Sequence, residues 1–403
     1  MNADHSRAVV AQGPTSLAPI SRLAERTLAE RIERAQRALL AIRTLVVGPG
    51  GYATIRSAVD ATRDGDTVLV QPGRYEEGVV VAGKTITIRG DGDRDAIVVG
   101  WDQGSAFTLV ETRSTLIGLT IVGGQAGSRS NAAAALLVTG GEPQLDRLRV
   151  TQGEGVVFEA RAVGAITRSQ IDGDISGIFV HDGASPRIEG NEIWGSLSGI
   201  EVGDPESDPL VCANRIHDCP YGVVVYGGAC PTIEANEIWG TVNAGICVRA
   251  TGTSPLVRLN GIHAGERDGI LVDDGAKPRI EENEIWATIL GIDIGGARTD
   301  PLVRANRIHD GTGRGIQIAS AASPRLEGNE IWANQGEGVY ISGPRTSPSI
   351  TGNTVRDGLD DGIYVSDRAS PTIAGNTIIR NAREAIGVSD GAAPRIGQNS
   401  VDR

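Results

Sequence analysis

The stretch Ser185-Pro-Arg-Ile-Glu-Gly-Asn-Glu-Ile-Trp-Gly-Ser-Leu-Ser-Gly-Ile-Glu-Val202 decides the fold, because its skeleton returns again and again along the chain. Its proline, Pro186, has counterparts at Pro209, Pro231, Pro255, Pro278, Pro301, Pro324, Pro348, Pro371 and Pro394, at steps of 22 to 24 residues. Five residues after each proline stands an asparagine: Asn191, Asn214, Asn236, Asn260, Asn283, Asn306, Asn329, Asn353, Asn376 and Asn399. The unit reads Pro-x-Ile-x-x-Asn-x-Ile, a loop, Gly-Ile-x-Val, and a turn back to the next proline.

Each unit holds three short strands in which apolar and polar residues alternate, as at Ile188, Ile193, Ile200 and Val202. Strands of two or three apolar residues cannot offset their own ordering entropy, so a unit is stable only when its neighbours share its hydrogen bonds and its core. Stacked parallel strands lie about 4.8 Å apart, which turns every position of the repeat into a column. The expected fold is therefore all-β, a single right-handed parallel β-helix of about 23 residues per coil. An asparagine column satisfies itself, since an amide has donors and an acceptor on opposite sides. The glycine before each Gly-Ile-x-Val isoleucine, as at Gly199, Gly222 and Gly245, is expected to supply a tight bend without a side-chain clash.

From about Pro143 to Arg403 this pattern resembles the β-helix repeats of the pectin-lyase-like superfamily, of the carbohydrate-binding and sugar-hydrolase type. The segment before it is similar to the entry coil of such proteins. Tyr52-Ala-Thr-Ile-Arg-Ser-Ala-Val-Asp60 reads as a short helix, and Gly65-Asp-Thr-Val-Leu-Val-Gln-Pro-Gly-Arg-Tyr-Glu-Glu77 as a strand and turn. A second strand follows at Thr85-Ile-Thr-Ile-Arg-Gly90. The resemblance is specific for the fold rather than for an activity.

The ends of a solenoid expose unpaired strand edges and core. Residues 1–44 are expected to form a tail and an amphipathic capping helix over Ile20 to Ile42, whose apolar stripe includes Leu23, Leu28, Ile32 and Leu39. Residues 45–403 form the β-helix. At Arg403 the pattern stops inside a coil, so that edge is expected to meet a protein partner, most simply another copy.

The net charge of −12 argues against a nucleic-acid partner, which needs clustered cations. No apolar run approaches the roughly 20 residues of a bilayer span, and Met1 to Pro19 lacks the pattern of a secretory signal, which points to the cytoplasm. Cys212, Cys219, Cys230 and Cys247 show no metal-ligand spacing and read as free thiols.

A second periodicity spans two coils. Trp194, Trp239, Trp286 and Trp332 alternate with His217, His263 and His309 in the column three residues after the asparagine, beside a column that alternates mostly Glu and Arg. Both columns should face outward, either as a lateral ring stack or as an aromatic strip that binds a sugar polymer or a protein.

The superfamily's hydrolases and lyases use clustered carboxylates, the lyases often with calcium and a cationic base. Gly-His-Gly, Asn-Thr-Asp, Arg-Ile-Lys and Asp-Pro-His-Asp, strings that carry chemistry in the polygalacturonase-like and alginate-epimerase-like branches, do not occur. No catalytic residue is assigned and no cofactor is expected. The one candidate for calcium is Asp182 with Asp204, Glu206 and Asp208 on turns of adjacent coils; Asp273-Asp274 and Asp360-Asp361 are isolated pairs. The leading expectation is a non-catalytic recognition or scaffold protein, and the alternative a carbohydrate-binding or polysaccharide-active one.

Overall fold

The computed structural model describes residues 42–124 and 133–402. Contacts divide the chain into two units, 1–43 and 44–403. The first unit's only described residues, Ile42 and Arg43, lie outside regular structure. The capping helix expected over 20–42 thus falls outside the described residues.

The described residues from Thr44 onward build a right-handed parallel β-solenoid of about 15 turns. Three parallel sheets run along it. Among the described residues the first sheet has 16 strands, from Thr44–Val47 to Arg395–Ile396, and carries the Pro-x-Ile segments. The second has 15, from Gly73–Glu76 to Ser400–Val401, and carries the segments that follow each asparagine. The third has 14, from Val79–Ala82 to Ile386–Val388, and carries Gly-Ile-x-Val.

Register is uniform because one slip would turn every apolar side chain outward. Ile193 pairs with Ile216, Ile216 with Ile238, Ile238 with Ile262 and Ile262 with Ile285. These isoleucines, with Ile188, Ile200 and Val202 and their counterparts, fill one continuous core.

The asparagine column occupies the bend between the first and second sheets and is buried from Asn191 to Asn376. From Asn214 onward each Oδ1 accepts from the backbone N–H and the Nδ2 of the asparagine one coil earlier, as Asn236 Oδ1 does from Asn214 at 3.0 Å each. Each Nδ2 also donates to an earlier carbonyl, as Asn236 does to Val211 at 3.0 Å. The residue before the asparagine is left-handed in each coil from Gly190 to Gly375, including Ala213, Ala235, Leu259 and Ala305 at φ between 53° and 56°. The ladder holds that strain.

A shorter polar column escaped the sequence analysis. Ser207, Thr253, Thr299 and Thr346, two coils apart, are fully buried in the turn after the third sheet. Their hydroxyls accept backbone N–H groups of the preceding coil, from Gly183, Gly228, Gly275 and Ala321, at 2.9–3.1 Å.

The glycines that open Gly-Ile-x-Val avoid a side-chain clash, as expected, but do not supply the bend. Gly199, Gly222 and Gly245 are absent from the left-handed region, so they do not make the bend by conformational freedom. Space is the reason. A Cβ on Gly245 would lie 2.5 Å from Ile262 Cγ2 and 2.7 Å from the Gly269 carbonyl oxygen of the next coil.

The entry coil has a helix, α1, over Ile55–Ala61, capped by the Thr54 side chain. Glu77 accepts from the N–H groups of Ile55 at 2.7 Å and Arg56 at 2.9 Å, a carboxylate at the positive end of the helix. In the first coil α1 stands where later coils place strands of the second and third sheets, and it buries Ile55, Ala58 and Val59. The segment Gly73–Glu76, expected as a turn, is extended and pairs with Ile97–Gly100 to begin the second sheet.

Candidate functional site

The second sheet presents the Trp/His column outward, as expected. Its rings stack on one another along the axis: Trp194–His217, His217–Trp239, Trp239–His263, His263–Trp286, Trp286–His309 and His309–Trp332. Centroids are 4.1–6.2 Å apart and the planes lie within 15°. Glu192–Arg215 at 3.1 Å and Glu284–Arg307 at 2.8 Å fix the neighbouring column. Arg215 and Arg307 also lie over Trp239 and Trp332, each 5.3 Å from the ring centroid. His263 Nε2 lies 2.8 Å from Glu237, and His217 and His309 lie 2.8 and 2.7 Å from Asp218 and Asp310 through Nδ1. The inner rings of the column therefore have both faces taken by neighbouring rings and point their edges at solvent.

The calcium candidate does not assemble. Asp182, Asp204, Glu206 and Asp208 are not brought together: among the described residues no three His, Cys, Asp or Glu side chains gather as a metal would require. Asp182, Asp204 and Glu206 sit at left-handed turn positions, and Glu206 pairs with Arg161 at 2.9 Å. The buried member of that turn is Ser207, which is bound to backbone. All four cysteines are free thiols, and burial pushes Cys219 and Cys247 up to about 11.

The outer face of the third sheet is different in kind. The core, asparagine and Trp/His columns repeat, whereas the residue between Ile and Val in Gly-Ile-x-Val runs Glu201, Val224, Cys247, Leu271, Asp293, Gln317, Tyr340, Tyr364. The flanking positions bring His181, Tyr226, Arg249 and Asp273 to one side, and Ser198, Tyr221, Asp268 and Arg314 to the other. Likeness between coils reports mutual support; here support has been given up for an assortment of aromatic, acidic and basic groups. That break in repetition is the signal the sequence carried.

A hollow of about 430 Å³ opens on this face between Leu197, Glu201, Tyr221, Val224, Tyr226 and Arg249. Its floor packs Val224, Ala244 and Cys247 against Tyr221, Tyr226 and Leu271. Glu201 is held by the Tyr226 hydroxyl and the Ser176 hydroxyl, each donating at 2.9 Å. Burial, with the nearby carboxylate of Glu201, pushes the Tyr226 phenol up. Two and three coils beyond Tyr221 lie three carboxyls whose affinity for a proton is raised, in each case first by burial. Asp268, only 3% exposed, rises to about 6, with Asp293 adding to it and Arg267 opposing it. Asp273 rises with help from Asp274, and Asp293 rises although Gln317 donates to it at 3.1 Å. One buried oxygen of Asp268 and one of Asp273 has no hydrogen-bond partner. Further along, the Arg314 guanidinium lies 3.6 Å from the Tyr340 ring centroid and pairs with Glu337 at 2.8 Å.

The fold thus defines the class: a parallel β-solenoid with one non-repeating face. Residues 113–262 and 251–401 match the family model described as "Right handed beta helix region", and the chain belongs to that family. No curated protein matches it. Among solved structures, the Dettilon tailspike protein is similar at 16% identity and TM-score 0.53, over 85% of this chain and 68% of that one. A mannuronan C-5 epimerase A-module from Azotobacter vinelandii is similar at 14% identity and TM-score 0.48, over 86% and 96%. The catalytic unit of an α-1,3-glucanase from Streptomyces thermodiastaticus is similar at 13% identity and TM-score 0.46, over 89% and 69%. At these identities the likeness is one of fold. Among the described residues no helix is long and apolar enough to cross a membrane.

Proposed function

We propose that this protein binds a glycan chain along the outer face of its third sheet, with the hollow beside Tyr221 and Tyr226 as the central subsite. The carrying observation is the non-repeating face itself, where aromatic rings line an open hollow in series with carboxyls and guanidiniums. Tyrosine offers large apolar area with a polar tip, which suits the mixed surface of a sugar ring. A protein interface fits less well, because interface cores are depleted in charge and this face carries several carboxyls and guanidiniums. The Trp/His strip is the poorer sugar platform, since stacking on a sugar needs a free ring face and its inner rings have none to offer.

The test is an array of neutral and acidic glycans, followed by titration calorimetry of the hits and assay of the same samples for cleavage products. Oligosaccharide binding that weakens at least tenfold in Tyr221→Ala supports the proposal, and cleavage products would mark a polysaccharide-active protein. Absence of binding across the array, or binding indifferent to Tyr221→Ala, sinks it.

A further inference from the structure

The two charges that line the hollow restrict which glycan it takes, an inference that rests on the glycan-binding proposal. One wall is an acceptor. Glu201 takes hydroxyl hydrogens from Ser176 and Tyr226 at 2.9 Å each, and two neutral donors leave its charge in place and part of its lone pairs open to a ligand. Tyr226 reaches it because residue 203 is glycine: a Cβ there would lie 2.9 Å from the Tyr226 ring.

The other wall is a guanidinium. In the column that follows the third-sheet strands, Gly203, Tyr226, Arg249 and Asp273 stack in successive coils, each N–H bonded to the strand of the coil before. Arg249 is exposed and lines the hollow. Arginines of the other two sheets on these coils are engaged, since Arg215, Arg258, Arg279, Arg304 and Arg307 each pair with a glutamate. Among the described residues Arg249 has no carboxylate at ion-pair distance, and its side chain lies beside the Cys247 sulfur. Burial and Glu201 raise the Tyr226 phenol while Arg249 opposes them, so that hydroxyl is within reach of both charges.

A sugar ring brings hydroxyls for Glu201. Arg249 adds a planar fork of donors that fits the paired oxygens of a carboxylate or a phosphate. Such a group is favoured once and not repeatedly. Asp273 is the next residue of the same column, and Asp268 and Asp293 stand one and two coils beyond Arg249. A chain charged on every ring would set its further anions against those carboxyls. The hollow, at about 430 Å³, is also near the lower end of the usual range for ligand sites, roughly 300–1,000 Å³, and takes only a short piece of chain.

We propose that the ligand is a heteropolysaccharide in which an acidic sugar stands between neutral ones, its acid group on the Arg249 guanidinium and its ring hydroxyls donating to Glu201.

The experiment is calorimetric titration at about pH 7.5 and roughly 0.15 M salt, where exposed charges are screened beyond about 8 Å. Neutral probes are cellohexaose and xylohexaose, and fully charged ones are hexagalacturonate and hexamannuronate. Sparsely charged probes are a hyaluronan hexasaccharide, a xylo-oligosaccharide carrying a single glucuronate and an oligomannoside carrying a single phosphate, which separate carboxylate from phosphate. Each is titrated into the full chain and into Arg249→Ala, whose folding is checked by circular dichroism. At least one sparsely charged probe should bind at least tenfold more tightly than any neutral or fully charged one, and Arg249→Ala should bring it down to the affinity of the neutral probes. Tightest binding by a neutral or by a fully charged probe overturns the assignment and leaves the glycan face standing. A preference that survives Arg249→Ala overturns the role of that guanidinium. Silence from every probe brings down this proposal together with the one it rests on.

Discussion

At the scale of single residues, this chain separates groups that serve the stack from groups that work against it. The asparagines serve it, each satisfying a neighbour's backbone at a buried bend. Asp268 does not. Its carboxyl is raised from 3.8 to about 6, chiefly by burial, with Asp293 beside it and Arg267 pulling the other way. A carboxyl raised in the folded state keeps its proton longer than in the unfolded chain, so folding loses stability as pH rises from about 4 to about 6. Below that window both states hold the proton and the penalty vanishes. Asp268→Asn should therefore stabilise the protein by about 1–3 kcal/mol at pH 7 and leave it nearly unchanged at pH 4. Chemical denaturation at the two pH values reads this directly, and an equal gain at both would contradict a penalty that arises from burying the charge.

At the scale of the element, the Trp/His column acts as a lateral clamp on the second sheet. Three-residue strands such as Glu237–Trp239 have little side-chain area of their own, and the ring stack joins seven of them through contacts no single coil could make. Trp239 touches His217 on one side and His263 on the other and carries Arg215 over its face. Trp239→Ala should cost about 2–4 kcal/mol, less than a fully buried tryptophan because the ring edge is wet, and should leave glycan affinity unchanged. Thermal unfolding and calorimetry on the same variant check both halves. Unchanged stability with lost binding would reinstate the strip as a binding surface.

At the scale of the molecule, a solenoid is held by neighbour-to-neighbour terms, so damage should stay local. Gly245 is a suitable place to inflict it, because a methyl there meets both the core and the next coil's backbone. Gly245→Ala should raise amide exchange in residues 222–292 and leave 44–124 protected, at a cost of about 1–3 kcal/mol or more. Gly328→Ala is the control: nothing lies within 4 Å of its Cβ position, and Ala213, Ala235 and Ala305 already occupy the same left-handed slot in other coils. A uniform rise in exchange along the whole chain would show that the coils unfold as one.

How much of this was legible beforehand follows from the same physics. The coil length, the three sheets, the asparagine ladder, the outward Trp/His column and the short entry helix could all be read from the residues. All but the entry helix rest on contacts between like positions of neighbouring coils, and those repeat. The glycine column is legible as a place where a side chain would clash, but its backbone conformation is not, since a periodic glycine looks alike whether it supplies a left-handed turn or only an empty volume. Asp182 and the acidic turn from Asp204 to Asp208 read as a cluster because they fall on turns of adjacent coils, but adjacency of turns does not make carboxylates converge, and no metal-holding group forms there among the described residues. Sequence by itself determined the stack. Only the tertiary structure decided the site, because Tyr221, Tyr226, Asp268 and Asp293 belong to no repeated pattern and become neighbours solely through the winding that sets successive coils one strand spacing apart.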